Sequence, residues 1–184
     1  MTGLPDALTV DGAAYSINAD FRNVLRIFDA LSDGTLTDAE KAFICVKRLY
    51  SDDVSAANFR ALTERAYWFI GGGDMPQSAP SPAPLIDWNH DEQMMIPAVS
   101  RAAGVVDIRT LDFLHWWTFL GLFGEIGEGL FSTVLHIRQK KANGKKLEKW
   151  EEEFLRGHRE LVRIHTPEEQ AEINRTKAFL DTIT

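Results

Sequence analysis

Apolar and polar positions alternate in two short runs from Leu8 to Ile17, on either side of Asp11-Gly12. That dipeptide favours a two-residue hairpin turn because both positions accept positive φ, so a small N-terminal β-hairpin is predicted. The pattern then changes to a helical period. Asp20 can cap a helix over about 21–31 that sets Phe21, Val24, Leu25, Phe28 and Leu31 on one face. Thr37-Asp38-Ala39-Glu40 has the form of a capping box, in which hydroxyl and carboxylate each satisfy a backbone amide. A second helix is expected over about 38–50, with Phe43, Val46, Leu49 and Tyr50 on its apolar stripe. Ser55 can start a third, carrying Phe59, Leu62, Ala66 and Phe69 as far as Gly71-Gly72-Gly73.

Residues 71–84, GGGDMPQSAPSPAP, have almost no apolar bulk and read as a flexible loop or linker. Beyond it, Asp87 to Ala103 places Met94, Met95, Ile96 and Val99 at helical spacing, with Pro97 expected to kink or split the helix. Thr110 can cap a helix over Leu111 to Phe123, the densest apolar stretch of the chain. A shorter helix around Phe131, Val134, Leu135 and Arg138 ends near Asn143-Gly144. A charged helix over Lys145 to Ile164 carries Leu147, Trp150, Phe154, Leu161 and Ile164. Thr166-Pro167-Glu168-Glu169 is a second capping box, leading into a terminal helix to about Leu180. The fold class read from this pattern is mostly α. It is one compact multi-helix domain over 1–184, with the N-terminal hairpin, the Gly/Pro loop at 71–84 and charged helices at 145–184.

Composition narrows the function classes. With 27 acidic against 20 basic residues and a net charge of −7, a sequence-independent grip on nucleic acid is not expected. The basic run Arg138 to Lys149 is followed at once by Glu151-Glu152-Glu153 and has no interleaved aromatic for base stacking, so it reads as solvated helix ends. The longest apolar run, Phe113 to Phe123, is interrupted by His115 and Thr118 and is shorter than the ~20 residues of a bilayer span. The start, MTGLPDALTV, has no export-signal pattern, and the single cysteine, Cys45, reads as a small buried hydrophobe of a reducing compartment.

No candidate for catalysis stands out. The five histidines, at 90, 115, 136, 158 and 165, show no zinc-ligand spacing. Asp87, Asp91 and Glu92 beside His90 could hold a cation, but acidic residues are favoured in a helix's first turn anyway. No cofactor or metal is expected. The block Leu114-His115-Trp116-Trp117-Thr118-Phe119-Leu120 is apolar nearly all round, so it predicts either a central core helix or one tryptophan facing a partner. His115, on the narrow polar stripe with Asp112 and Thr118, reads as hydrogen-bonded within that helix.

Several separated phrases together resemble one family. They are Val10-Asp11-Gly12 with Tyr15 and Ile17, Asp20-Phe21-Arg22, Glu40-Lys41, Trp68-Phe69-Ile70, Asp87-Trp88 with Asp91, Gly104 with Asp107, Leu114-His115-Trp116-Trp117 with Phe119, and Ile137-Arg138. In that order the chain resembles the gp-fifteen family of tailed phages, small proteins encoded in the tail module near the tape-measure gene, over about residues 5–155. The resemblance implies a non-enzymatic tail assembly chaperone, in the cytoplasm of the bacterial host, that keeps the helical tape-measure protein soluble. The alternative is a structural tail or head–tail completion component of the virion, and self-association is open. No membrane or nucleic-acid partner is implied. A long helix with apolar stripes needs a groove to cover it, and Met94, Met95, Trp116 and Trp117 are the partner-binding candidates.

Overall fold

The computed structural model describes residues 3–73 and 85–166, and positions 168, 169, 172, 173, 175 and 176 beyond them. Among these, strands β1 (Ala7–Val10) and β2 (Ala13–Ser16) pair antiparallel, Val10 opposite Ala13. Asp11 (φ 49°) and Gly12 (φ 86°) both adopt positive φ, as the Asp-Gly signal predicts. Eight helices follow: α1 (Phe21–Ser32), α2 (Asp38–Leu49), α3 (Phe59–Ile70), α4 (Trp88–Ala102), α5 (Trp116–Gly124), α6 (Leu130–Ala142), α7 (Lys149–Gly157) and α8 (Arg159–Val162). A 3-10 turn at Ile108–Thr110 precedes α5. The fold is mostly helical with one small antiparallel hairpin.

The chain divides into two compact units, each drawn from separated stretches. One comprises Met1–Gln77, Phe113–Leu120 and Thr166–Thr184, the other Ser78–Asp112 and Gly121–His165. The division does not follow the Gly/Pro segment alone, because the His-Trp-Trp phrase belongs with the N-terminal stretch.

In the first unit the predicted caps form. Asp20 accepts from the Arg22 amide at 2.9 Å, and Thr37 and Glu40 close the capping box of α2. The buried face of α1 is Phe21, Val24 and Ile27, so Ile27 takes the place expected of Leu25 and Phe28, which are half-buried. The third helix starts later than expected: Asn58, not Ser55, caps it, its side chain accepting from the amides of Arg60 and Ala61. Residues 71–73 form the turn that ends it. The rest of the expected flexible loop, 74–84, lies outside the described residues.

In the second unit Pro97 does not split its helix. Trp88–Ala102 is one continuous element, because the proline removes a single backbone bond while Met95, Ile96, Val99 and Ser100 around it are all buried. The helix expected from Lys145 to Ile164 is instead broken at His158 (φ −131°, ψ 41°) into α7 and α8, and Trp150 stays half-exposed. The second capping box, which belongs to the first unit, is present: Thr166 N–H donates to Glu169 at 2.9 Å and Glu169 N–H to Thr166 Oγ1 at 3.3 Å. The terminal helix expected to follow lies largely outside the described residues. No helix among the described residues is long and apolar enough to cross a membrane.

Candidate functional site

The most apolar phrase of the sequence does not begin a helix where its periodicity predicts. Residues 111–115 are irregular and α5 starts at Trp116, because the backbone around Leu114 is engaged elsewhere. Phe21 N–H donates to Leu114 O at 2.9 Å, Trp116 N–H to Ala19 O at 2.7 Å, and Leu114 N–H to the Asp20 carboxylate at 3.2 Å. These long-range bonds take the groups that would otherwise close the first helical turn. His115 is therefore outside the helix and next to its start, with Nδ1 accepting from the Trp117 amide at 3.0 Å. The other ring nitrogen then carries the proton and donates to Pro5 O at 3.0 Å.

The two tryptophans finish α3. Trp116 Nε1–H donates to Ile70 O at 2.8 Å and Trp117 Nε1–H to Phe69 O at 2.9 Å, two of the carbonyls that a helix end leaves without an intrahelical donor. Trp116 is fully buried, 5.3 Å from the Phe119 ring and 5.7 Å from Phe28, while Phe119 stacks on Phe21 at 5.2 Å. Trp117 is half-buried between Phe69 and Trp68, its ring 5.9 and 5.4 Å from theirs. Gly73 (φ 97°) lets the chain turn under it: a Cβ there would stand 3.3 Å from the Trp117 ring.

Met95 and Trp116 are fully buried, and Met94, 7% exposed, lines a recess of about 220 Å³ in the second unit together with Pro97, Leu130 and Phe131. Of the four expected partner contacts, Trp117 is half-buried and Met94 lines that recess. The acidic cluster is likewise engaged in structure. Asp91 and Arg138, both buried, form a two-pronged pair with the second prong at 2.8 Å. The guanidinium also donates to the carbonyls of Leu85, Leu161, Val162 and Arg163. Asp87 caps α4 and accepts from His165 Nδ1 at 2.9 Å. Burial pushes its carboxyl up, but the bonds from the His90 amide and His165 outweigh that and hold it below its ordinary value. No group of three or more His, Cys, Asp or Glu among the described residues is arranged to hold a metal ion. In the basic run, Lys140 pairs with buried Glu151 at 2.6 Å.

The surface that stands out is one the hydrophobic pattern assigned to the core. Phe43 is 59% exposed and Phe59 44% exposed, and both line a groove of about 260 Å³ in the first unit. Its lining also includes the buried side chains of Val46, Tyr50 and Leu62. The Tyr50 hydroxyl donates to Leu62 O at 3.0 Å, and burial pushes it up to about 12. On the rim are Lys47, Asp52 and Asp53. Asp53 accepts from the Ser55 amide at 2.9 Å, which holds its carboxyl below the ordinary value, and Asp52 accepts from the Ser16 amide at 2.7 Å. Phe43 shares the azimuth of buried Tyr50, two turns on. The period fixes that angle and does not show whether anything covers the helix at Phe43.

A family model described as Bacteriophage Gp15 protein matches residues 2–164. No curated protein and no solved structure matches the chain.

Proposed function

The chain belongs to the bacteriophage Gp15 protein family, and from that premise we propose that it is a non-enzymatic tail morphogenesis protein, an assembly chaperone for the helical tape-measure protein. The observation that supports this reading best is the open groove between Phe43 and Phe59. A long helix with an apolar stripe aggregates when uncovered, and a groove with exposed aromatic walls takes such a stripe by helix-in-groove recognition. The groove compares with the ~150 Å³ apolar cavity that binds benzene, so its size suits one or two large apolar side chains at a time. That capacity fits repeated, reversible contacts along a partner better than one deep anchor.

The two tryptophans and two methionines then serve the chaperone by holding its scaffold. The net charge of −7 helps keep a complex with an apolar partner in solution. The site of action is the host cytoplasm before the tail tube closes. Mass spectrometry of purified particles tests the reading: a chaperone is absent or far below stoichiometry. Retention at stoichiometry favours a structural tail or head–tail completion component.

A further inference from the structure

Two carboxylates and one ammonium stand on the rim of the Phe43/Phe59 groove: Asp52, Asp53 and Lys47, all exposed. Both carboxylates are fixed in place by backbone amides, Asp52 by Ser16 at 2.7 Å and Asp53 by Ser55 at 2.9 Å, and the bond from the Ser55 amide is the main reason the Asp53 carboxyl titrates below its ordinary value. An amide bond occupies one lone pair of a carboxylate and leaves others able to accept; on Asp53 the Ser55 hydroxyl and the Lys47 charge also act, while both groups stay exposed. The rim is therefore net negative on a chain that is itself net negative. A net negative rim around an apolar recess favours partners of the other sign and speeds their encounter.

Resting on the chaperone reading, we infer that the Phe43/Phe59 groove takes an amphipathic helical segment whose apolar side chain is flanked, within a turn, by lysine or arginine. The apolar side chain fills the space between the two phenylalanines over Val46, Tyr50 and Leu62. The flanking cation meets Asp52 and Asp53. A segment flanked by glutamate meets the same recess with like charges opposed, and is disfavoured.

The test uses the full chain and two synthetic amphipathic helical peptides with one leucine-rich apolar face, the first flanked by lysines, the second by glutamates, titrated by fluorescence anisotropy. The lysine peptide is expected to bind about tenfold more tightly at low salt, with the gap closing as salt rises. Asp52→Asn with Asp53→Asn, which keeps an acceptor for each amide, brings the two peptides to similar affinity. Phe43→Ser with Phe59→Ser abolishes binding of both, and circular dichroism confirms that the exposed substitutions leave the fold intact. Equal affinity of the two peptides for the wild-type chain overturns the inference, as does failure of the lysine peptide to bind or binding that survives loss of both phenylalanines. Co-expression with the tape-measure protein separates this from the broader reading. If the serine variant solubilises that protein as well as wild type does, the reading stands and the groove assignment falls; if wild type itself does not, the reading falls.

Discussion

The indole N–H of Trp116 donates to the carbonyl of Ile70 at 2.8 Å, across 46 residues of sequence, and its neighbour Trp117 does the same to Phe69. One adjacent pair of side chains thereby caps the end of α3 and fixes the start of α5. Trp116→Phe keeps most of the buried ring and removes the donor, leaving the Ile70 carbonyl buried without its partner. A loss of about 1–3 kcal/mol is expected, read as a shift of the urea midpoint at constant slope. Trp117→Phe, at a half-buried position where the Phe69 carbonyl also accepts from Gly71 and Gly72, costs less.

Arg138 and Asp91 are 47 residues apart and both buried, so removing one strands the other. Arg138→Met is expected to lose roughly 3–5 kcal/mol, because it leaves a buried carboxylate and frees four backbone carbonyls. Asp91→Leu combined with Arg138→Met recovers part of that loss. A double variant no better than the single would show that the carbonyl bonds, and not the ion pair, dominate. Thermal unfolding of the wild type, the single variant and the double variant measures this.

Asp87 sets an acid limit. Its folded value is depressed below its ordinary 3.8, so its contribution is complete above that value. It is lost as pH falls from there through the lower folded value. Stability between neutral pH and pH 5 should therefore be insensitive to this group and should fall below about pH 4. Asp87→Asn, followed by denaturant titration across that range, should make the acid limb shallower and leave neutral-pH slopes unchanged; the slope that remains belongs to other depressed carboxyls such as Glu151 and Asp33.

Cys45 is fully buried, and burial pushes its thiol up to about 12. The thiolate is the reactive form, so a thiol reagent at neutral pH should label the native chain only through unfolding. Labelling that proceeds at the rate of a free thiol in native buffer would contradict the packing of α2. Labelling that rises with urea alongside the unfolding transition is the expected result.

Local chemistry was legible in the sequence and long-range pairing was not. Asp11-Gly12, Asp20 and the boxes at Thr37 and Thr166 are each satisfied within four residues, so their residue types alone predict the turn and the caps. The start of α5 was misplaced because Ala19, Asp20 and Phe21 take the backbone groups near Leu114, a pairing that no local period encodes. Pro97 is a second case: the buried side chains around it hold a helix that propensity alone would break. At the site, an apolar stripe gives direction around the helix axis and not coverage. Phe43 therefore reads as core and is exposed, whereas Met95 and Trp116, candidates for partner contact, are fully buried, Trp116 in the core setting that its all-round apolar helix allows.

The central claim, the proposal that this family member shields a helical partner, is tested most directly by co-expressing the chain with a tape-measure protein from the same phage genome and measuring the soluble fraction of that protein. The account predicts that the soluble fraction rises, that the two proteins elute as one complex, and that Phe43→Ser with Phe59→Ser returns the partner to the pellet. A tape-measure protein that aggregates equally with and without the wild-type chain would contradict it.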